Sequence, residues 1–405
     1  MTKSSAPMVE LVGRVTSHRD GQWIATIKLQ QPPPFDTILP TMPDHYLVIG
    51  GEGFLGRHVV EQIRARNDGS TIAVFDIIQR TNEKDVRYFK GDLREYDVVY
   101  AALDGITAVI HTASPPHVSG PNPPRDLYFG INVKGTGNVI KACQERGITK
   151  LVVTSSGSVI STGKAMVNVD ESAPYPPVAI DVYTESKIEG EKLVLAANNQ
   201  RGLLTCTIRP SGIFGPGDSQ IIPGFLEVCE RGQHIIQIGD NTGLMDFTYV
   251  GNVAYAHVLA VEQLTSPTSP AAGQAFNITN GTPIPFWDIA MRVWKEVGYH
   301  IPKSRKIVLP YALAVVIAYI SETIYETKAL FIDRSKLKEG LSRGRIKQVI
   351  SSRYFNIDKA KSILGYEPRV GLEEGIVLSI QVCWSIDYED HWLGIRGWRG
   401  GLVCI

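Results

Sequence analysis

An apolar run that ends in three spaced glycines constrains this chain more than any other feature. Tyr46 to Ile49 reads as a short buried strand, Gly50, Gly53 and Gly56 follow, and Arg57 to Arg66 has helical spacing. Glycines in a strand-to-helix turn let a pyrophosphate approach the exposed N–H groups at the helix N-terminus, here those around Phe54 and Leu55. Asp76 closes the next apolar run, Ser70 to Phe75, 20 residues beyond Gly56. A carboxylate at that point accepts hydrogen bonds from adenosine ribose hydroxyls and repels a 2'-phosphate. NAD is therefore the expected cofactor and NADP the alternative, with Arg80 near enough to blur the choice.

The same rhythm continues downstream. Ala108 to His111 and Lys150 to Thr154 read as strands, while residues 132–146 and 186–198 read as helices. This alternation predicts an α/β, Rossmann-type doubly wound parallel sheet with helices on both faces. Beyond Arg209-Pro210 the pattern loosens into Gly/Pro-rich turns and a helix near 252–263, expected to form a smaller substrate-binding lobe. The expected division is a poorly ordered arm over 1–43, an NAD-binding domain with the catalytic residues over 44–209, the lobe over 210–381 and an atypical Trp- and Gly-rich tail over 382–405.

Further cofactor contacts are expected along the sheet edge. Asp92 follows a short apolar element and is placed to bond the adenine amino group, although a solvated turn aspartate fits almost as well. Thr112 and Ala113 end the fourth strand with small side chains against which a cofactor can lie, whereas His111 reads as a packing residue.

A second site lies in Tyr183-Thr184-Glu185-Ser186-Lys187. Tyrosine is a poor base at neutral pH because its phenol ordinarily titrates near 10, and a lysine one helical turn away favours the phenolate. Ser155 and Ser156 end a predicted strand about 30 residues before the tyrosine, where a hydroxyl can bond a substrate oxygen. A proton carrier, a charge tuner and an oxygen anchor beside a dinucleotide imply hydride transfer at an alcohol or ketone. The bland alternatives are a surface Tyr/Lys pair and serines that satisfy local backbone groups.

Charge and cysteine content exclude other classes. The 41 basic and 41 acidic residues cancel, so no global field recruits nucleic acid. Five scattered cysteines without a C-x-x-C pair fit a reducing compartment and neither a disulfide framework nor a metal site. The N-terminus lacks the pattern of a secretory signal, and no apolar run is long enough to span a bilayer.

Taken together, the glycine turn, Ser156, Tyr183 and Lys187 resemble the extended short-chain dehydrogenase/reductase superfamily over about Tyr46 to Gln381. Asn132-Val133-Lys134-Gly135-Thr136, Arg209-Pro210-Ser211-Gly212-Ile213-Phe214-Gly215-Pro216-Gly217-Asp218 and Phe247-Thr248-Tyr249-Val250-Gly251-Asn252-Val253-Ala254 look like its 3β-hydroxysteroid dehydrogenase branch. Arg353-Tyr354-Phe355-Asn356-Ile357 and Leu364-Gly365-Tyr366 look most like the sterol-4α-carboxylate 3-dehydrogenases of sterol C4 demethylation. The resemblance implies catalytic Ser156, Tyr183 and Lys187, with Ser156 preferred to Ser155 because two residues separate it from Val159. It also implies a cofactor contact at Pro210 and a supporting role for Asn132. The arm, the tail and Phe214, which stands where a tyrosine is usual, depart from the family.

The implied reaction is NAD-dependent oxidation of a 3β-hydroxyl on a sterol or triterpenoid, with loss of a C4 carboxylate. The alternatives are a dehydrogenase without decarboxylation, another reductase or epimerase, and a catalytically silent NAD-sensing protein. The implied partners are the sterol substrate, other sterol-demethylation enzymes, a second copy of the chain and a membrane touched without being crossed, at the cytosolic face of the endoplasmic reticulum; a cytoplasmic location is the alternative. Ile307 to Ile320, continued by Ala329-Leu330-Phe331-Ile332 and by basic residues from Arg334 to Lys347, suits an interfacial helix, against the alternative of a buried helix of the lobe.

Overall fold

The apolar runs form a seven-stranded sheet in which every pairing is parallel. The computed structural model describes residues 18–19, 22–23, 43–115, 124–299, 306–332 and 340–385. Its central strands are β1 His45–Ile49, β2 Thr71–Asp76, β3 Val86–Lys90, β4 Ala108–His111, β5 Lys150–Thr154, β6 Leu204–Pro210 and β7 Gln274–Ile278. Across the sheet they run β7-β6-β5-β4-β1-β2-β3, so the winding reverses between β1 and β4. A reversal of this kind opens a crevice at the carboxyl ends of the strands. The Gly50 turn leaves β1 there, and Thr112-Ala113 leaves β4 beside it.

Alternate residues of each strand feed two separate cores. Tyr46, Val48, Ile72, Val74 and Ile110 pack against α1 (Phe54–Arg66) and, later in the chain, Val250–Gln263. Leu47, Ile49, Phe75, Val109 and Leu151 face α2 (Tyr96–Ala102) and residues of the two helices that follow β4 and β5. The first of these begins with the short α3 (Arg125–Phe129), passes through a π-helical turn at Gly130–Gly135 and continues as α4 (Thr136–Arg146). The second is α5 (Val182–Ala196), which starts at Val182 because the Asp181 carboxylate accepts a hydrogen bond from Thr184 N at 2.7 Å.

Residues beyond Pro210 serve two structures. Their own apolar core joins α6 (Ile221–Glu230), α8 (Phe286–Glu296) and the helix Leu372–Ser385 through Phe225, Trp294 and Ile376, with Phe214 buried among them. Yet β7 pairs with β6, and α7 (Val250–Gln263) packs on α1, so a break at residue 210 does not separate the lobe from the central sheet. Phe276 and Val258 explain this return, because both are buried in the core that α1 shares with the sheet.

Met1–Met42 forms one compact unit and Pro43–Ile405 another. In the first, His18–Arg19 pairs antiparallel with Gln22–Trp23; the rest of the expected arm, and the expected tail after Ser385, lie outside the described residues. The apolar segment beginning at Ile307 becomes a short strand, Ile307–Leu309, and then α9 (Tyr311–Ala329), followed by α10 (Arg343–Ile350).

Candidate active site

The glycine turn is shaped by close approach. Gly50 adopts φ +81°, and a Cβ there would lie 2.6 Å from Ala113 N, while one on Gly56 would lie 2.0 Å from Gly50 O. No side chain caps α1, and its first intrahelical bond runs from Arg57 N to Gly53 O at 3.2 Å. The amides of Phe54, Leu55 and Gly56 therefore precede the helical ladder and are the donors a pyrophosphate requires.

The neighbouring strand ends lock this turn in place. Thr112 donates from N and Oγ1 to Ile49 O at 2.8 and 3.0 Å, and Ala113 N reaches the same carbonyl at 3.1 Å. Asp76 Oδ2 accepts from Glu52 N at 3.1 Å and Oδ1 from Ile78 N at 3.3 Å. Burial pushes the Asp76 carboxyl up, against these amides, which stabilise its charge. Pro210 is buried at the end of β6, in register with Ile278 of β7.

Asp92, expected to bond the adenine amino group, is engaged within the protein by Arg94. Arg94 donates from Nε to its carboxylate at 2.9 Å and holds it well below the usual carboxylate range. Arg94 N donates to the same carboxylate at 2.9 Å.

Three groups converge where β5 ends. The Tyr183 phenol is hydrogen-bonded to the Ser156 side chain, which lowers its pKa, while burial, the larger influence, pushes it up to about 12. Asp181 and Tyr128 push in the same direction as burial, and the Tyr128 ring meets Tyr183 edge-on at 5.7 Å. Ser156 Oγ accepts from Ser158 N at 3.1 Å and from Ser158 Oγ at 2.9 Å, which orients the hydroxyl. Ser155 differs: its buried Oγ has no hydrogen-bond partner, and its amide donates to Ile208 O at 2.7 Å across the sheet. The two serines thus face different surroundings, and Ser156 is the one beside the tyrosine.

Lys187 lies one turn along α5, almost fully buried, and its Nζ donates to Thr154 O at 3.0 Å. Burial lowers the amine to about 8, and Glu191, one turn further, opposes the shift. Lys187 in turn helps burial hold His111 near 3, so that imidazole is neutral and packs with Nε2 3.2 Å from Thr136 Oγ1. Asn132 sits in the π-helical turn, donates to Ser186 Oγ at 2.9 Å and keeps a buried Oδ1 without a partner. Together with Ser155 and Lys187 it lines a small internal cavity.

Supporting groups emerge that local sequence spacing did not single out. His257 Nδ1 faces Val253 O at 2.8 Å, so it carries the proton, and Nε2 accepts from Thr154 Oγ1 at 2.7 Å. His257 therefore fixes the residue whose carbonyl receives Lys187. Arg209 meets the buried Glu191 carboxylate with Nε at 3.0 and 3.1 Å, and Tyr175 donates to the same carboxylate at 2.7 Å. Glu191 shared the helical face of Lys187, a spacing visible in the sequence, whereas His257 lies 103 residues from Thr154 and carried no local signal.

Crevice, glycine turn and Ser-Tyr-Lys cluster together define a dinucleotide-dependent short-chain oxidoreductase site. Residues 47–310 match the 3-beta hydroxysteroid dehydrogenase/isomerase family, and the chain belongs to that family. The sterol-4-alpha-carboxylate 3-dehydrogenase, decarboxylating, of Saccharomyces cerevisiae is 44% identical, spanning 82% of this chain and 96% of its own. The human protein of the same name is 40% identical over 82% and 87%. Among solved structures, the Thermus thermophilus UDP-glucose 4-epimerase complex with NAD superposes with a TM-score of 0.62 at 24% identity, over 84% of this chain and 99% of that one. This last likeness identifies the shared fold.

Proposed function

We propose that this protein oxidises the 3β-hydroxyl of a 4α-carboxysterol with NAD and releases the carboxylate as carbon dioxide. The observation that carries the chemistry is the hydrogen bond between Tyr183 and Ser156, set at the carboxyl end of β5 with Lys187 buried behind it. The substrate class follows from the decarboxylating sterol dehydrogenases that span most of the chain.

The amides of Phe54, Leu55 and Gly56 would hold the pyrophosphate, Asp76 the adenosine ribose, and Thr112, Ala113 and Pro210 the path toward the nicotinamide. When bound, the nicotinamide accepts the hydride that leaves C3. Tyr183 receives the hydroxyl proton at its phenolic oxygen. A phenol near 12 resists this, so the reaction needs Ser156 and the positive charge of Lys187 and the bound coenzyme to bring the phenolate within reach. The Ser156 hydroxyl orients the substrate oxygen. Once C3 is a ketone, the carboxylate lies β to it; the C4–carboxyl bond breaks, carbon dioxide leaves, and the electron pair enters the carbonyl as an enolate. Ser156 and protonated Tyr183 supply donors to that oxygen.

The same reading places the protein against the cytosolic face of the endoplasmic reticulum membrane. Among the described residues no helix is long and apolar enough to cross a bilayer. Helix α9 nevertheless exposes Tyr311, Leu313, Val316, Tyr319 and Ile320, each at least half exposed, and Phe331 beyond it is 84% exposed. Only Ala314 and Ala318 of α9 are buried, against Ile346 of α10, which supports an interfacial helix over one buried in the lobe. Arg343, Arg345 and Lys347 add the basic flank that anionic headgroups attract; Arg334, Lys336 and Lys338 lie outside the described residues.

The test is to incubate purified protein and NAD+ with a 3β-hydroxy-4α-carboxysterol while following NADH and carbon dioxide together. Equal release of both, lost in Tyr183→Phe, supports the reading. NADH without carbon dioxide identifies a simple 3β-alcohol dehydrogenase, and neither product removes this substrate class.

A further inference from the structure

Glu52 is a buried carboxylate inside the glycine turn, between Gly51 and Gly53, and only 1% of it is exposed. One oxygen is clamped: Oε1 accepts from Thr81 Oγ1 at 2.6 Å and from Thr81 N at 3.2 Å. The Tyr88 hydroxyl, 2.9 Å from Thr81 Oγ1, braces the clamp from β3. The other oxygen, Oε2, is buried without any hydrogen-bond partner. A turn that needed only a staple would be served by a neutral glutamine, which forms the same bonds to Thr81 without burying a charge.

The surroundings explain what the charge does. Its backbone N–H donates to Asp76 Oδ2, so the two carboxylates bracket the end of β2, and each lies within electrostatic reach of the other. Two guanidiniums share that space. Arg80 lies with Nη1 3.5 Å from Glu52 O, and Arg57 on α1 feels both Arg80 and Glu52. Two arginines beside an adenosine ribose are the usual equipment for gripping a 2'-phosphate. Here Glu52 and Asp76 supply two negative charges against them, and Glu61 of α1 adds a third within reach of Arg57.

We propose that Glu52 is a specificity-determining residue that, with Asp76, cancels the Arg57 and Arg80 charges and so excludes coenzymes bearing a 2'-phosphate. The inference rests on the Gly50 turn being the dinucleotide site. Selectivity arises from repulsion of the wrong ligand more than from attraction of the right one. Asp76 contacts the ribose itself and its loss weakens NAD as well. Glu52 is held away by Thr81, and its loss removes one negative charge opposing the two guanidiniums while the ribose contacts stay intact.

The experiment is calorimetric titration of the full-length protein and of Glu52→Gln with NAD+ and with NADP+, which reads binding without turnover. The glutamine variant is expected to bind NADP+ at least about tenfold more tightly than the parent while its NAD+ affinity stays within about threefold. Unchanged NADP+ affinity, or equal weakening of both coenzymes, overturns the proposal and leaves Glu52 as a structural staple. Glu52→Ser, which removes the charge and frees space, gives the same readout if the glutamine variant does not fold. A parent protein that binds neither coenzyme overturns the dinucleotide site and this inference with it, whereas a parent that binds NAD+ beside an unresponsive variant overturns the inference alone.

Discussion

Lys187 Nζ donates to Thr154 O at 3.0 Å while the hydroxyl of the same threonine donates to His257 Nε2 at 2.7 Å, so one buried residue couples the Lys187 amine to a buried histidine of α7. The amine falls from its usual 10.5 to about 8 because it is buried. Between those values the folded chain binds fewer protons than the unfolded one, so stability rises as pH climbs from about 8 to 10.5. Below pH 8 the fold bears the whole penalty, at most about 3 kcal/mol. Lys187→Met should therefore compare most favourably with the parent below pH 8 and lose that relative advantage toward 10.5, while losing turnover. Urea unfolding across this range checks the slope, and a pH-independent difference between the two proteins removes the lowered amine from the account.

Tyr183 and Ser156 separate two roles that a loss of activity alone does not. Removing the phenolic oxygen in Tyr183→Phe abolishes the proton acceptor and should lower kcat by about 10²–10⁴-fold with coenzyme affinity unchanged. Ser156→Ala removes the hydrogen bond that lowers the phenol, so the alkaline rise in turnover should also move to higher pH. A Ser156→Ala profile displaced only in height would assign Ser156 to substrate orientation and leave the phenol untuned.

Gly190 is where α5 passes the π-helical turn. A Cβ at this position would stand 2.4 Å from the carbonyl oxygen of Asn132, a backbone atom that cannot swing aside. Gly190→Ala should force the two helices apart, with a cost of about 1–3 kcal/mol typical of overpacking and a displacement of Lys187 three residues earlier. Thermal melting and kcat should fall together. A variant with parental melting and activity would show that the helices yield without cost.

Much of this architecture was legible because the central strands carry their own buried apolar runs, as Leu47 to Ile49 and Leu151 to Val153 do, whereas Val86–Lys90 at the edge does not. The glycine turn and the Tyr183 to Lys187 spacing were legible for the same reason: both are local patterns with a local physical cause. What the sequence hid is long-range. Nothing near Gln274–Ile278 announces that it joins β6 as the edge of the central sheet, since an apolar strand reads alike in either lobe. Glu52 was equally opaque, because its burial depends on Thr81 and Tyr88 arriving from the next two segments.

The exposed face of α9 leads to the last prediction. Arg343 ties α10 to α9 by donating to the Glu322 carboxylate from Nε at 2.7 Å and from its amide at 2.8 Å, which holds the basic flank beside the apolar face. Ile320 and Phe331, 52% and 84% exposed, make no contribution to the interior that their replacement would remove. Burying one such side chain in the acyl boundary contributes about 1.5–3 kcal/mol, so changing both to glutamate should release the protein from anionic vesicles by roughly two orders of magnitude or more. Turnover of detergent-dispersed sterol should survive, because neither residue lines the cavity beside Lys187. Flotation with vesicles containing phosphatidylserine measures the first effect. Parent protein that stays in the soluble fraction at low salt, where the attraction of Arg345 and Lys347 to headgroups is strongest, would mean that α9 meets something other than a membrane.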